Sequence, residues 1–169
     1  RAIRVITGEQ LGRVALNALR LRQSDENTFF EIAERNPTLK NIKRFFRIEA
    51  EVNWMRHSAI KNTIKRELKK GETIEATYGT AHSTLIPELR KKGIRSTRRR
   101  IDPFQFDKGH TIMRRLILNP RERISDGEYY KGFLAIRIRD WLLDQTIRTG
   151  TDIQHRMVNV LANTIIDEL

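Results

Sequence analysis

Lys40, Lys43, Arg44, Arg47, Lys61, Lys65 and Lys69 recur at helical spacings in a stretch that holds no Gly or Pro between Pro37 and Gly71. At roughly 100° per residue, with Lys40 as zero, all seven fall on one side of a helix, between about 300° and about 40°. Glu51 is the main interruption, and Trp54, Ser58 and Asn62 share that side. Ammonium and guanidinium groups in a row this long can meet a line of phosphates. The plainer reading is a solvated charged face, but such a face normally mixes Glu with Lys for support between turns. A single-signed face repels itself until something neutralises it. The stretch "RKKGIRSTRRR" (90–100) holds seven basic residues in eleven. Arg95, Arg98, Arg99 and Arg100 therefore read as an extension of the same anion-binding surface, with Ser96 and Thr97 able to add hydrogen bonds to phosphate.

Little else in the chain is arranged for chemistry. His57, His82, His110 and His155 do not pair at metal-ligand spacing, and there is no cysteine. No Gly-rich phosphate loop, nucleophile motif or two-metal carboxylate cluster is visible. The expectation is no catalytic residue, no metal and no cofactor. No apolar run approaches the length of a membrane span, and "RAIRVITGEQ" lacks the apolar stretch of a signal peptide.

The charge is concentrated in one segment. Of a net +12 over 169 residues, positions 37–100 carry 17 basic and 6 acidic residues. Positions 1–36 carry six and five, and 101–169 carry ten of each. A charge kept for solubility alone would be spread evenly, so the bias points to a polyanionic partner. Of the 33 basic residues 23 are Arg, which suits bidentate phosphate contact.

The elements that must position these groups are helical. Thr7 with Gln10 reads as a capping box before "LGRVALNALRLR", and a second short helix is expected from about Asp25 to Arg35. Asn36 caps the long helix, Pro37 takes its first position and Gly71 ends it. "TLIPELRKK" forms a short helix, and another covers roughly Thr111 to Leu118. Ser125 with Glu128 caps a helix ending at Gly150, and Thr151 with Gln154 caps the last. No strand is evident. The expected fold is all-α: an N-terminal helical arm (1–71), a basic loop-rich connection (72–110) and a C-terminal helical bundle (111–169). Tyr129, Tyr130, Phe133, Leu134, Ile138, Trp141, Leu142, Met157, Val160, Leu161 and Ile165 are expected in the bundle core. The arm, short of apolar cover, is expected to be loosely ordered until assembly.

From "VITGEQLGRVALNALRLRQ" through "NVLANTIIDEL" this layout resembles the major capsid proteins of filamentous archaeal viruses, the lipothrixvirus type. The resemblance implies N-terminal helices wrapped around double-stranded DNA in A-form, with Arg13 and Arg20 joining the DNA side. It implies a related second capsid subunit, or another copy of the chain, repeating in a helical filament. It also implies a lipid envelope and location in the virion. The expected function is therefore packaging of double-stranded DNA without sequence specificity. A cellular chromatin-like or regulatory DNA-binding protein is the alternative. A peripheral membrane or matrix protein with a basic amphipathic helix is the second.

Overall fold

A computed structural model describes residues 3–7, 13–68, 73–77, 85–91, 93–95, 107–146 and 152–168. The fold is all-α. Its helices are α1 (Arg13–Arg35), α2 (Leu39–Leu68), α3 (Leu85–Lys91), α4 (Lys108–Leu118), α5 (Asp126–Thr146) and α6 (Asp152–Glu168). Two short strands depart from the expectation of none: β1 (Ile3–Thr7) pairs in parallel with β2 (Thr73–Thr77). Both are rich in β-branched residues, which favour extended backbone. A parallel pair needs a long crossover, here the α1–α2 hairpin. Thr7 therefore ends a strand, in register with Thr77. Gln10, its expected capping partner, lies outside the described residues.

The two short N-terminal helices expected from sequence are one helix of 23 residues, about 34 Å long. "SDEN" at 24–27 looks like a helix start, yet here it continues one. Asp25 answers Arg22 one turn earlier at 3.0 Å, and the Thr28 hydroxyl donates to the Ser24 carbonyl at 2.9 Å. The cap of α2 is Thr38 rather than Asn36, since Thr38 Oγ1 accepts from the Asn41 backbone N–H at 3.3 Å. The Asn36 carbonyl instead accepts from the Asn41 side chain at 2.9 Å. Helix α4 starts three residues earlier than expected because Asp107 caps it, accepting the His110 N–H at 2.8 Å. The capping box of α5 stands as read: Glu128 accepts from Ser125 N–H and Oγ–H, both at 2.9 Å, and Glu128 N–H donates to Ser125 Oγ. That helix is described through Thr146, and its expected end at Gly150 lies outside the described residues. The cap expected at Thr151 and Gln154 falls on residues that are not described at this level.

The core does not divide at residue 71. Ile42, Phe45, Phe46 and Ala50 of α2 are buried with Ala33 of α1, with Ile112, Met113 and Leu116 of α4, and with Tyr129, Phe133 and Ile136 of α5. Phe30, Phe45, Phe46, Phe133 and Tyr129 form a chain of tilted and edge-on ring contacts, with centroids 5.1–6.0 Å apart. The first half of the long helix is thus the centre of the domain and not an arm. Its apolar face has the cover thought to be missing, from a longer α1 on one side and from α4 and α5 on the other. A smaller cluster, Ile60, Ile64 and Leu89 with Leu68 and Ile94, seats α3 on its second half. The 72–110 segment consequently includes packed structure, β2 and α3, beside its loops.

Helices α4 and α5 approach closely because two glycines face each other. A Cβ at Gly109 would meet the Gly132 carbonyl oxygen at 2.8 Å, and a Cβ at Gly132 would meet the Gly109 Cα at 3.4 Å. Backbone cannot yield as a flexible side-chain end can. Gly109→Ala should therefore destabilise by about 1–3 kcal/mol, despite alanine's better helix propensity. Guanidinium unfolding checks this, and an unchanged midpoint would mean that the two helices have room to spare.

Candidate nucleic-acid interface

Two covers flank α2 and leave a narrow open strip. Helix α1 lies along one edge: Arg22 reaches Glu51 at 3.1 Å, and Phe29 lies 3.9 Å beneath the Arg44 guanidinium. Helices α4 and α5 cover the opposite flank through Ile42, Phe46 and Ala50. Between them Lys40, Arg44, Arg47, Glu51, Trp54 and Asn62 are exposed. These positions fall within about 40° of Lys40, so the side read as phosphate-facing is the side open to solvent.

The strip is shorter in available charge than seven residues. Lys43 donates to Asp126 at the start of α5, at 2.7 Å, and also lies 5.5 Å from the Tyr129 ring centre. Lys61 donates to Glu88 of α3 at 2.9 Å, and the buried His57 bonds the other oxygen of that carboxylate at 3.1 Å. Burial pushes the His57 imidazole down from its ordinary range. Burial alone would push Glu88 up, but the hydrogen bonds from Lys61 and His57 outweigh it and hold the carboxyl low. Both lysines lie at the edge of the strip, near 300°, where neighbouring elements reach them. Lys65 is half-buried on the same side. Lys69 lies outside the described residues.

Arg22 was not among the expected site residues. It reaches the one carboxylate in the strip while also holding Asp25, and no local spacing announces this, because Glu51 is 29 residues away. Phe29 is a second addition. Its ring lies under Arg44 as a cation–π partner and so helps to hold the guanidinium in place on the strip.

The other expected residues are only partly gathered. Arg20 is exposed, but it lies about 160° around α1 from Arg22, so it does not share the strip. Arg13 opens α1, and its side chain is outside the described residues. Ile94 docks on the Ile60–Ile64–Leu89 cluster and so brings the exposed Arg95 to the far end of α2. Arg98, Arg99 and Arg100 lie outside the described residues. A helix lying on lipid would turn its apolar face outward, yet Phe45 and Phe46 are buried and Met55 is half-buried. No helix among the described residues is long and apolar enough to cross a membrane, and no group of three or more His, Asp or Glu there could hold a metal.

A second polar cluster lies inside the domain. Asp107 is fully buried and accepts from His110 Nδ1 at 2.7 Å and from Arg139 at 3.0 Å. Burial alone would raise its pKa, but these partners bring it below the usual value. Arg139 also bonds Asp140 at 2.6 Å. The cluster ties the start of α4 to the middle of α5 and is closed off from the strip. No protein family, curated protein or solved structure matches this chain.

Proposed function

We propose that this chain is a structural subunit that packages double-stranded DNA without sequence specificity in a helical filament. The observation that carries the reading is the open strip of α2, where Lys40, Arg44 and Arg47 stand outward and Arg22 pairs with Glu51, the one carboxylate beside them. A row of cations along one helix face fits the regular spacing of a nucleic-acid backbone. The strip is too long to enter one major groove and offers no short recognition helix, so binding rests on charge and shape. The resemblance to filamentous archaeal virus capsid proteins gives the reading its setting, a virion in which the subunit repeats along the DNA.

Four phosphate contacts follow from Lys40, Arg44, Arg47 and Arg95. At roughly −0.9 per phosphate, log K against log salt should slope near −4, shallower than seven contacts would give. Lys40→Glu combined with Arg47→Glu should flatten that slope by about 2 and weaken binding equally on unrelated duplexes. The fluorescence of Trp54, read in a Trp141→Phe chain, should change on binding. Electron micrographs of the protein mixed with linear duplex should show filaments of constant diameter. A salt-independent affinity, or strong preference for one duplex sequence, would remove the strip as the contact surface. Beads of protein on otherwise free DNA would favour a chromatin-like role.

A further inference from the structure

Trp141, expected in the core, is 62% exposed. It belongs to a stripe on the outer side of α5, with Tyr130, Leu134 and Ile138, that repeats every three or four residues. Pro37 and Ile42 add to the apolar wall of a groove of about 620 Å³ along this stripe, whose rim carries Lys131 and the Glu34–Arg137 ion pair. Helix α6 carries a matching feature. Met157, Val160 and Leu161 are 65%, 44% and 46% exposed at i, i+3 and i+4. Val158, Ala162 and Ile166, on its other side, are buried. Neither outward stripe has a partner among the described residues. Apolar surface of this extent on a monomer marks a contact site.

We propose that the α5 groove of one copy receives the outer face of α6 from a second copy, in a head-to-tail contact. Length and charge both argue for this occupant. Tyr130 to Trp141 and Met157 to Glu168 each span eleven residue steps, about 16 Å of helix. Laid antiparallel, Met157 meets Trp141, a favourable sulfur–ring pairing, and Leu161 falls between Leu134 and Ile138. The same register sets the exposed Glu168 opposite the exposed Lys131 on the groove's rim. The contact joins different surfaces, so each docked copy still offers one groove and one α6, and the chain of copies extends rather than closing. Ile42, in the groove wall, lies about 160° around α2 from Lys40, so docking leaves the basic strip uncovered. The contact goes beyond the packaging role and needs no nucleic acid.

The test is sedimentation velocity of the full chain at tens of micromolar without DNA. The parent should form species larger than a dimer, and Trp141 emission, read in a Trp54→Phe chain, should shift to the blue as they form. Trp141→Arg and Leu161→Arg, both at exposed positions, should each leave a monomer with an unchanged melting temperature. Mixed in equal amounts, the two variants should recover dimers and nothing larger, since only one intact groove meets one intact α6 face. Lys131→Glu should weaken association at least several-fold, and adding Glu168→Lys should restore it. A monomeric parent, or two variants that do not rescue each other, overturns the contact. A chain that associates but ignores DNA leaves the contact standing and defeats the packaging reading; one that binds DNA as a monomer does the reverse.

Discussion

Phe46→Ala should lower the unfolding free energy by about 3–5 kcal/mol, which is a large part of the roughly 5–15 kcal/mol that holds a domain of this size. Phe46 is fully buried, its ring centre lies 5.1 Å from that of Phe45 and 5.8 Å from that of Tyr129, and a Cβ at Gly132 would lie 3.4 Å from its Cζ. Truncation leaves a ring-sized void that three helices share, and close packing around the glycine crossing limits collapse into it. Because α2 and α5 belong to one core, their amides should lose protection together in the variant and exchange at similar slow rates in the parent. Guanidinium titration with amide exchange on the DNA-free protein makes the measurement. Fast exchange across 39–68 beside slow exchange across 126–146 would restore the idea of a separate, loosely ordered arm.

That arm was a reasonable reading of α2 alone, and its failure shows what helical period conveys. The direction of the basic strip was legible, because charge and apolarity sort to opposite sides over 30 residues. The capping box at Ser125 and Glu128 was legible because both partners sit within one turn. Lys43 and Lys61 were not legible as paired, because their carboxylates lie 83 and 27 residues away. Helix α5 defeated the core assignment for a different reason: it is apolar nearly all round. Phe133 and Ile136 on one side and Leu134 and Trp141 on the other carry equal claims to burial, and only the positions of α2 and α4 decide between them. The strands escaped notice because each is five residues long and the partner is 70 residues distant.

A half-buried carboxyl that period could not have picked out gives the chain a pH dependence of definite sign. Glu49 lies on the covered side of α2, with one side-chain oxygen buried and without a hydrogen-bond partner. Burial first, and then the nearby Glu26, push its pKa up to about 8, with Arg139 opposing and Asp107 and Asp140 adding. Below the unfolded value of about 4.5 Glu49 is neutral in both states and has no effect on the pH slope. Between about 4.5 and 8 the folded chain keeps a proton that the unfolded chain releases, so stability falls as pH rises, by about 1.4 kcal/mol per unit. Asp107 works in the opposite sense: its lowered pKa makes its contribution present at neutral pH and lost as acid protonates it. Glu49→Gln keeps the shape of the protonated side chain and removes only the ionisation. It should change stability little at pH 4 and increase it progressively above pH 5, by on the order of 3–5 kcal/mol at pH 8. Urea unfolding of parent and variant across pH 4–9 measures the difference directly. A difference that stays flat over that range would mean that Glu49 is ionised in the folded chain throughout, held by Arg139 as one more member of the Asp107 cluster.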